Sequence, residues 1–175
     1  RQHWRDTQWW RKRFLTHVVS GYFDAVGHDG TPLIEEDWDN LLLLDACRYD
    51  LFEEALIEHP LDGTLSKRTS IETGTPGYLA ENFGDGQFHD IVYVTANPQL
   101  ERNRSMWDIN LHETINVWID EGWDDKTGTV RAETITDAAL KAADQFPHKR
   151  LVVHYMQPHY PFVPADTSAD KNHLQ

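Results

Sequence analysis

The residues best suited to chemistry fall in three short stretches. The first is Asp39-Asn40-Leu41-Leu42-Leu43-Leu44-Asp45-Ala46-Cys47-Arg48-Tyr49-Asp50, in which four leucines run directly into a carboxylate. An ionised carboxylate at the edge of a core needs a compensating partner, and a divalent cation bound through oxygen would suit Asp45. Arg48 could grip an anionic substrate bidentately or pair with a carboxylate. For Asp50, beside an expected helix start, a dipole-stabilising pairing with Arg48 is the simpler role. The second stretch is Thr69-Ser70-Ile71-Glu72-Thr73-Gly74-Thr75-Pro76. A hydroxyl at a helix N-terminus either caps the helix, worth about 1 kcal/mol, or attacks an ester whose anion is held by the free N–H groups there. Thr75, Thr73 and Ser70 are the candidates, and one residue can do both in turn. The third is His154-Tyr155-Met156-Gln157-Pro158-His159-Tyr160-Pro161-Phe162, in which His159 stands between two prolines. Such a histidine can ligate a metal, bond an anionic oxygen or protonate a leaving group. A lone loop histidine is usually solvated, so its place after a strand is what gives it weight.

Positioning these groups requires alternating strands and helices. The leucine run reads as a parallel strand buried on both faces, and ligands in open α/β sheets gather beyond the carboxyl ends of the strands. Residues 49–59 are expected to be helical, with Leu51, Phe52, Ala55 and Leu56 toward the core and a stop at Pro60 to Gly63. Residues 64–69 read as a short strand. A second helix follows over 76–83, with Pro76 at its first position and Thr75 as N-cap. His89 to Thr95 is a strand closed by the Asn97-Pro98 turn. Residues 110–121 read as a helix from the spacing of Leu111, Ile115, Trp118 and Ile119. Residues 130–146 give the clearest helix, with Ile135, Ala139, Ala142 and Phe146 on one stripe and Pro147 at its end. Leu151 to Tyr155 is a further strand. The order predicts an α/β, three-layer fold with a mostly parallel sheet.

Residues 1–30 stand apart as an N-terminal arm, with 31–175 forming part of a single domain. Within the arm, Trp4, Trp10, Phe14, Val18 and Tyr22 interleave with Arg1, Arg5, Arg11, Lys12 and Arg13. The pattern is that of an amphipathic helix, which either packs its aromatics on the domain or offers them to a membrane surface, a partner or a second copy of the chain.

At 175 residues the chain can bury a core of its own. Twenty-nine acids against 16 Lys plus Arg give a formal charge of −13, which repels phosphate backbones and argues against a general nucleic-acid role. Such a charge suits a salt-adapted source, where concentrated cations screen the surface. Cys47 is the single cysteine, so no intrachain disulfide forms. It reads as a small buried residue at the strand–helix junction rather than a nucleophile. No apolar run reaches the roughly 18 residues of a membrane span, no secretory signal is visible, and a cytoplasmic location is expected. No glycine-rich phosphate loop is present to support a nucleotide site.

At DNLLLLDACRYDLFEE the chain resembles the opening metal motif of the sulfatase-like branch of the alkaline phosphatase superfamily, closest to a haloarchaeal sulfatase-domain group. In that family an apolar strand delivers an Asp to the metal, with Arg and Asp at similar spacing, which matches Asp45 and Arg48. TGTPGYLAENF resembles the nucleophile segment, and HYMQPHYPF resembles the segment whose His, here His159, faces the anionic group. The three pieces occur in family order. The resemblance implies a metal-dependent hydrolase or transferase acting on a small phosphate or sulfate ester, with Asp45 and Thr75 on a Ca, Mg, Mn or Zn ion and Arg48 and His159 on the anion or leaving group. Two departures qualify it. Sulfatases that mature a cysteine to formylglycine carry it in a C/S-x-P-x-R context, which is absent, so the nucleophile would be a hydroxyl. The family also takes further ligands from a downstream Asp-His segment, and the chain reaches only Gln175, so it reads as the N-terminal part of a longer domain with an incomplete metal site. A non-catalytic relative serving as a binding or assembly module is the rival expectation.

Overall fold

The computed structural model describes residues 30–119 and 122–163, together with Thr7, Phe14 and Val18. The strands are β1 (Asn40–Leu44), β2 (Gln87–Thr95), β3 (Asn110–Asn116), β4 (Trp123–Asp124), β5 (Thr129–Val130) and β6 (Arg150–Tyr155). The helices are α1 (Tyr49–Glu58), α2 (Thr75–Phe83), α3 (Gln99–Asn103) and α4 (Ala132–Gln145), with a short 3-10 turn at Leu33–Glu35. Strands β1-β6-β2-β3 form one sheet in that order, and every neighbouring pair is parallel. The molecule is therefore α/β with a parallel sheet flanked by helices, as the alternating pattern predicts.

Successive residues of β2 face opposite sides, as the pleat requires. Val92 and Val94 join Leu151 and Val153 beneath the Ile135, Ala139 and Ala142 stripe of α4. Ile91 and Tyr93 join Val152 on the other face, beneath Leu79 and Phe83 of α2 and Leu100 of α3. Leu79 is completely buried. Pairing in register sets Leu43 beside His154 and His154 beside Thr95, so the ends of β1, β6 and β2 come level.

Four expectations about elements are corrected. The helix expected over 110–121 does not form across its described residues, 110–119: 110–116 form β3, paired with β2. The four-residue spacing of Leu111 and Ile115 fits either structure, and the β-branched Thr114, Ile115 and Val117 tip it to a strand once β2 offers an edge. Residues 64–69 pair with no strand and are exposed. The leucine strand is not buried on both faces. It lies at the sheet edge, where Leu41 and Leu43 pack inward while Leu42 and Leu44 are 57% and 37% exposed. Helix α1 forms where expected yet buries none of its residues. A short antiparallel β4–β5 hairpin, unexpected from the sequence, turns through Gly128 at φ +68, with the Asp124 carboxylate accepting the Lys126 N–H at 2.9 Å.

The arm expectation falls largely outside the described residues; within it Phe14 and Val18 are more than half exposed. No helix among the described residues is long and apolar enough to cross a membrane.

Candidate active site

The ends of β1 and β2 and the start of α2 meet at one carboxylate. The chain turns sharply after β1, with Ala46 at φ 60 in the left-handed region that a residue bearing a Cβ rarely adopts. Asp45 is thereby held at the rim of the sheet. Its Oδ1 accepts a hydrogen bond from Thr75 Oγ1 at 3.3 Å, and its Oδ2 accepts one from Asn97 Nδ2 at 2.7 Å. Asn97 is itself fixed: its Oδ1 accepts the Gln99 N–H at 2.9 Å, and its own N–H donates to Thr95 Oγ1 at 2.9 Å. Asn97 and Thr95 are both buried. In the sequence Asn97-Pro98 reads only as a turn; the structure makes Asn97 the clamp on Asp45.

The hydroxyls separate by their partners. Thr75 is the first residue of α2, and Gly74, not Thr75, is the N-cap. The Thr75 side chain is directed to Asp45 instead of capping the helix. Ser70 Oγ donates to the Glu72 carbonyl at 2.6 Å, and Thr73 is exposed. Of the three candidates, Thr75 contacts the carboxylate. The Glu72 side chain lies along the first turn of α2, where a Cβ on Gly77 would meet it at 3.1 Å, and its Oε2 accepts the Thr73 N–H at 3.3 Å.

Asp45, Arg48, Ser70, Thr73, Thr75, His154 and His159 all line one open cleft of ≈ 910 Å³. The structure therefore brings Asp45, Arg48, Thr75 and His159, with the alternative hydroxyls of Ser70 and Thr73, to one cleft, although not all into contact; Asp50 does not line it. The Arg48 guanidinium pairs with Asp50 through two hydrogen bonds of 3.0 and 2.5 Å and holds the Asp50 carboxyl below its ordinary range. Both side chains are exposed, so the pair is weak and a bound anion can recruit Arg48 from it. His159 is exposed and its Nδ1 lies 2.6 Å from the Tyr160 carbonyl oxygen. Cys47 is half-buried rather than buried, and partial burial raises its thiol pKa, which disfavours the nucleophilic thiolate.

His154, at the end of β6, is 3% exposed and its Nδ1 lies 3.0 Å from the hydroxyl of the fully buried Tyr93. Burial lowers the His154 pKa from 6.5 to about 4, against the opposing pull of the Asp45 charge. The unfolded chain takes up this proton near pH 6.5 and the folded chain only near pH 4. The unfolded state therefore binds more protons between these values, and stability falls as the pH drops through that window. The loss by pH 5 is about 2 kcal/mol. Thermal unfolding at pH 7 and pH 5 checks this: the wild-type midpoint should fall more than that of His154→Gln.

As a donor set for a hard cation, Asp45 and Thr75 fit in part. Their facing oxygens, 3.3 Å apart, have the separation of neighbouring ligands on a cation with bonds of about 2.1–2.5 Å. Among the described residues, no group of three or more His, Cys, Asp or Glu side chains is placed to complete such a shell. Searches against protein-family models, curated proteins and solved structures found no match to this chain.

Proposed function

We propose that the chain carries the nucleophile of a metal-dependent hydrolase or transferase that acts on a phosphate or sulfate ester through Thr75. The observation that carries this reading is the hydrogen bond from Thr75 Oγ1 to Asp45 Oδ1 at the mouth of a strand-end cleft. A strand-end cleft is where α/β folds hold ligands, and the resemblance to the sulfatase-like branch supports the same assignment. Thr75 and Asp45 would hold the cation, which when bound lowers the pKa of the hydroxyl and polarises the ester.

The steps follow from the partners each residue has. Asp45 Oδ1 orients the Thr75 hydroxyl, which gives its proton to water as Oγ1 attacks phosphorus or sulfur in line with the leaving oxygen. The bond to the leaving oxygen breaks, and that oxygen takes a proton from His159 as its imidazolium. The N–H groups at the start of α2 and the Arg48 guanidinium stabilise the anionic oxygens. Water, giving a proton to the now neutral His159, then attacks the covalent ester; its bond to Oγ1 breaks, Oγ1 regains a proton from solvent, and phosphate or sulfate is released with Thr75 and His159 restored.

Turnover of a generic aryl phosphate and a generic aryl sulfate, with Ca, Mg, Mn or Zn ions added singly, tests the reading. Hydrolysis of at least one ester that a chelator abolishes is expected. Chelator-insensitive hydrolysis, or none with any ion, would overturn it. The exposure of Leu42, Leu44 and Leu51 favours a second reading, a non-catalytic binding or assembly module. That reading predicts no hydrolysis under any of these conditions.

A further inference from the structure

Two histidines border the same cleft, and their hydrogen bonds assign them opposite tautomers. The Tyr160 carbonyl can only accept, so His159 Nδ1 carries the hydrogen of their 2.6 Å contact. The neutral His159 ring is then left with an unprotonated Nε2, an acceptor that cannot hydrogen-bond an anionic oxygen. His154 is arranged the other way. The Tyr93 hydroxyl is completely buried, and among the described residues its hydrogen-bond partner is His154 Nδ1 at 3.0 Å. A buried O–H without an acceptor is costly, so Tyr93 donates and Nδ1 accepts. The His154 hydrogen must then lie on Nε2, on the far edge of the ring from the Tyr93 hydroxyl. The two rings are also locked edge to face, with centroids 6.1 Å apart and planes at 72°, and Phe83 holds Tyr93 from another side at 5.4 Å and 82°.

We infer that Tyr93 fixes His154 as the Nε2–H tautomer, and that His154, rather than His159, is the neutral donor this cleft presents to an anionic oxygen beside Asp45. The inference rests on the ester-cleaving reading and deepens it. Tyr93 is the positioning residue, and its effect passes through the His154 tautomer, as outer hydrogen bonds fix tautomers at metal sites. Burial disfavours the charged ring, which supports a neutral role. A neutral ring also leaves the charge of Asp45 unopposed and available to a cation. His159 keeps the distinct task of giving a proton to a leaving group, which it does from Nε2 once that nitrogen has gained a proton.

Long-range proton–nitrogen correlation spectra of protein labelled with nitrogen-15 in histidine test the tautomers directly. His154 should show the neutral Nε2–H pattern and neutral His159 the Nδ1–H pattern, and Tyr93→Phe should move His154 to a mixture of tautomers. A wild-type His154 in the Nδ1–H form, or one that Tyr93→Phe leaves unchanged, overturns the inference. Kinetics supply the second arm. His154→Leu should raise KM for the preferred aryl ester roughly tenfold or more, the loss of one hydrogen bond to a charged group. His154→Gln, which keeps an amide donor, should restore most of that loss. An unchanged KM in a folded His154→Leu protein overturns the inference, and if that variant does not fold, the Tyr93→Phe spectra decide. If the wild-type protein cleaves no ester, the functional reading fails by itself, whereas the tautomer assignment is still decided by the spectra.

Discussion

Thr75→Val removes ester turnover, with kcat falling on the order of 10³-fold or more, while the protein stays folded. Valine keeps the volume and β-branching of threonine but has no oxygen to attack with, and none to donate to Asp45 Oδ1. Thr75 is at the first position of α2, where Gly74 supplies the cap, so loss of its hydroxyl does not uncap the helix. Thr75→Ser keeps the nucleophile and retains measurable activity. Asp45→Asn falls as steeply as Thr75→Val, because a neutral amide holds a divalent cation poorly. The double variant is little worse than either single one, since the two residues act as a unit. Ser70→Ala and Thr73→Val stay close to wild type, because the Ser70 hydroxyl serves the Glu72 carbonyl and Thr73 faces solvent. Steady-state rates on the preferred aryl ester, with circular dichroism to verify folding, check the series.

Asn97 gives the second large effect. Asn97→Ala deletes the 2.7 Å bond to Asp45 Oδ2 and the bond that ties the Asn97 side chain to the start of α3. Outer hydrogen bonds of this kind are worth about 10–100-fold in activity or metal affinity, so kcat/KM falls by about that factor. Stability also drops by about 1–3 kcal/mol, because the groups left behind are partly buried and unpaired. Asn97→Asp has a different signature. It sets a second carboxylate against Asp45, and two close like charges resist ionising together. The variant is destabilised at neutral pH, and both acid and added Ca or Mn ions relieve the repulsion. Thermal shift on adding the ion should therefore be larger for Asn97→Asp than for wild type, and equal shifts would show that no cation enters beside Asp45.

Much of this arrangement was legible in the residues. Four leucines ending in Asp45, a proline after Thr75 and the stripe of α4 each have a local cause that the fold keeps. Sequence and structure part where local pattern and strand pairing compete. The spacing of Leu111, Ile115 and Trp118 satisfies a helix until β2 is present to pair with β3. The leucine run resembles a central strand because burial on one face is not encoded in apolarity alone, and only the strand order places β1 at the edge. Asn97 was within reach, since the strand-end logic that selected Asp45 applies equally at the end of β2. His154 and Tyr93 were not. Their significance is a pairing between residues 61 apart in sequence, and nothing local in either strand signals it.

The central claim is that Thr75 becomes covalently bonded to the transferred group. Acid quenching of the protein during turnover of the preferred aryl ester, followed by peptide mass spectrometry, tests it most directly. One added phosphoryl or sulfuryl group is expected on the peptide carrying Thr75, absent in Thr75→Val. Product release with that group on another residue, or with Thr75→Val turning over at the wild-type rate, would contradict it.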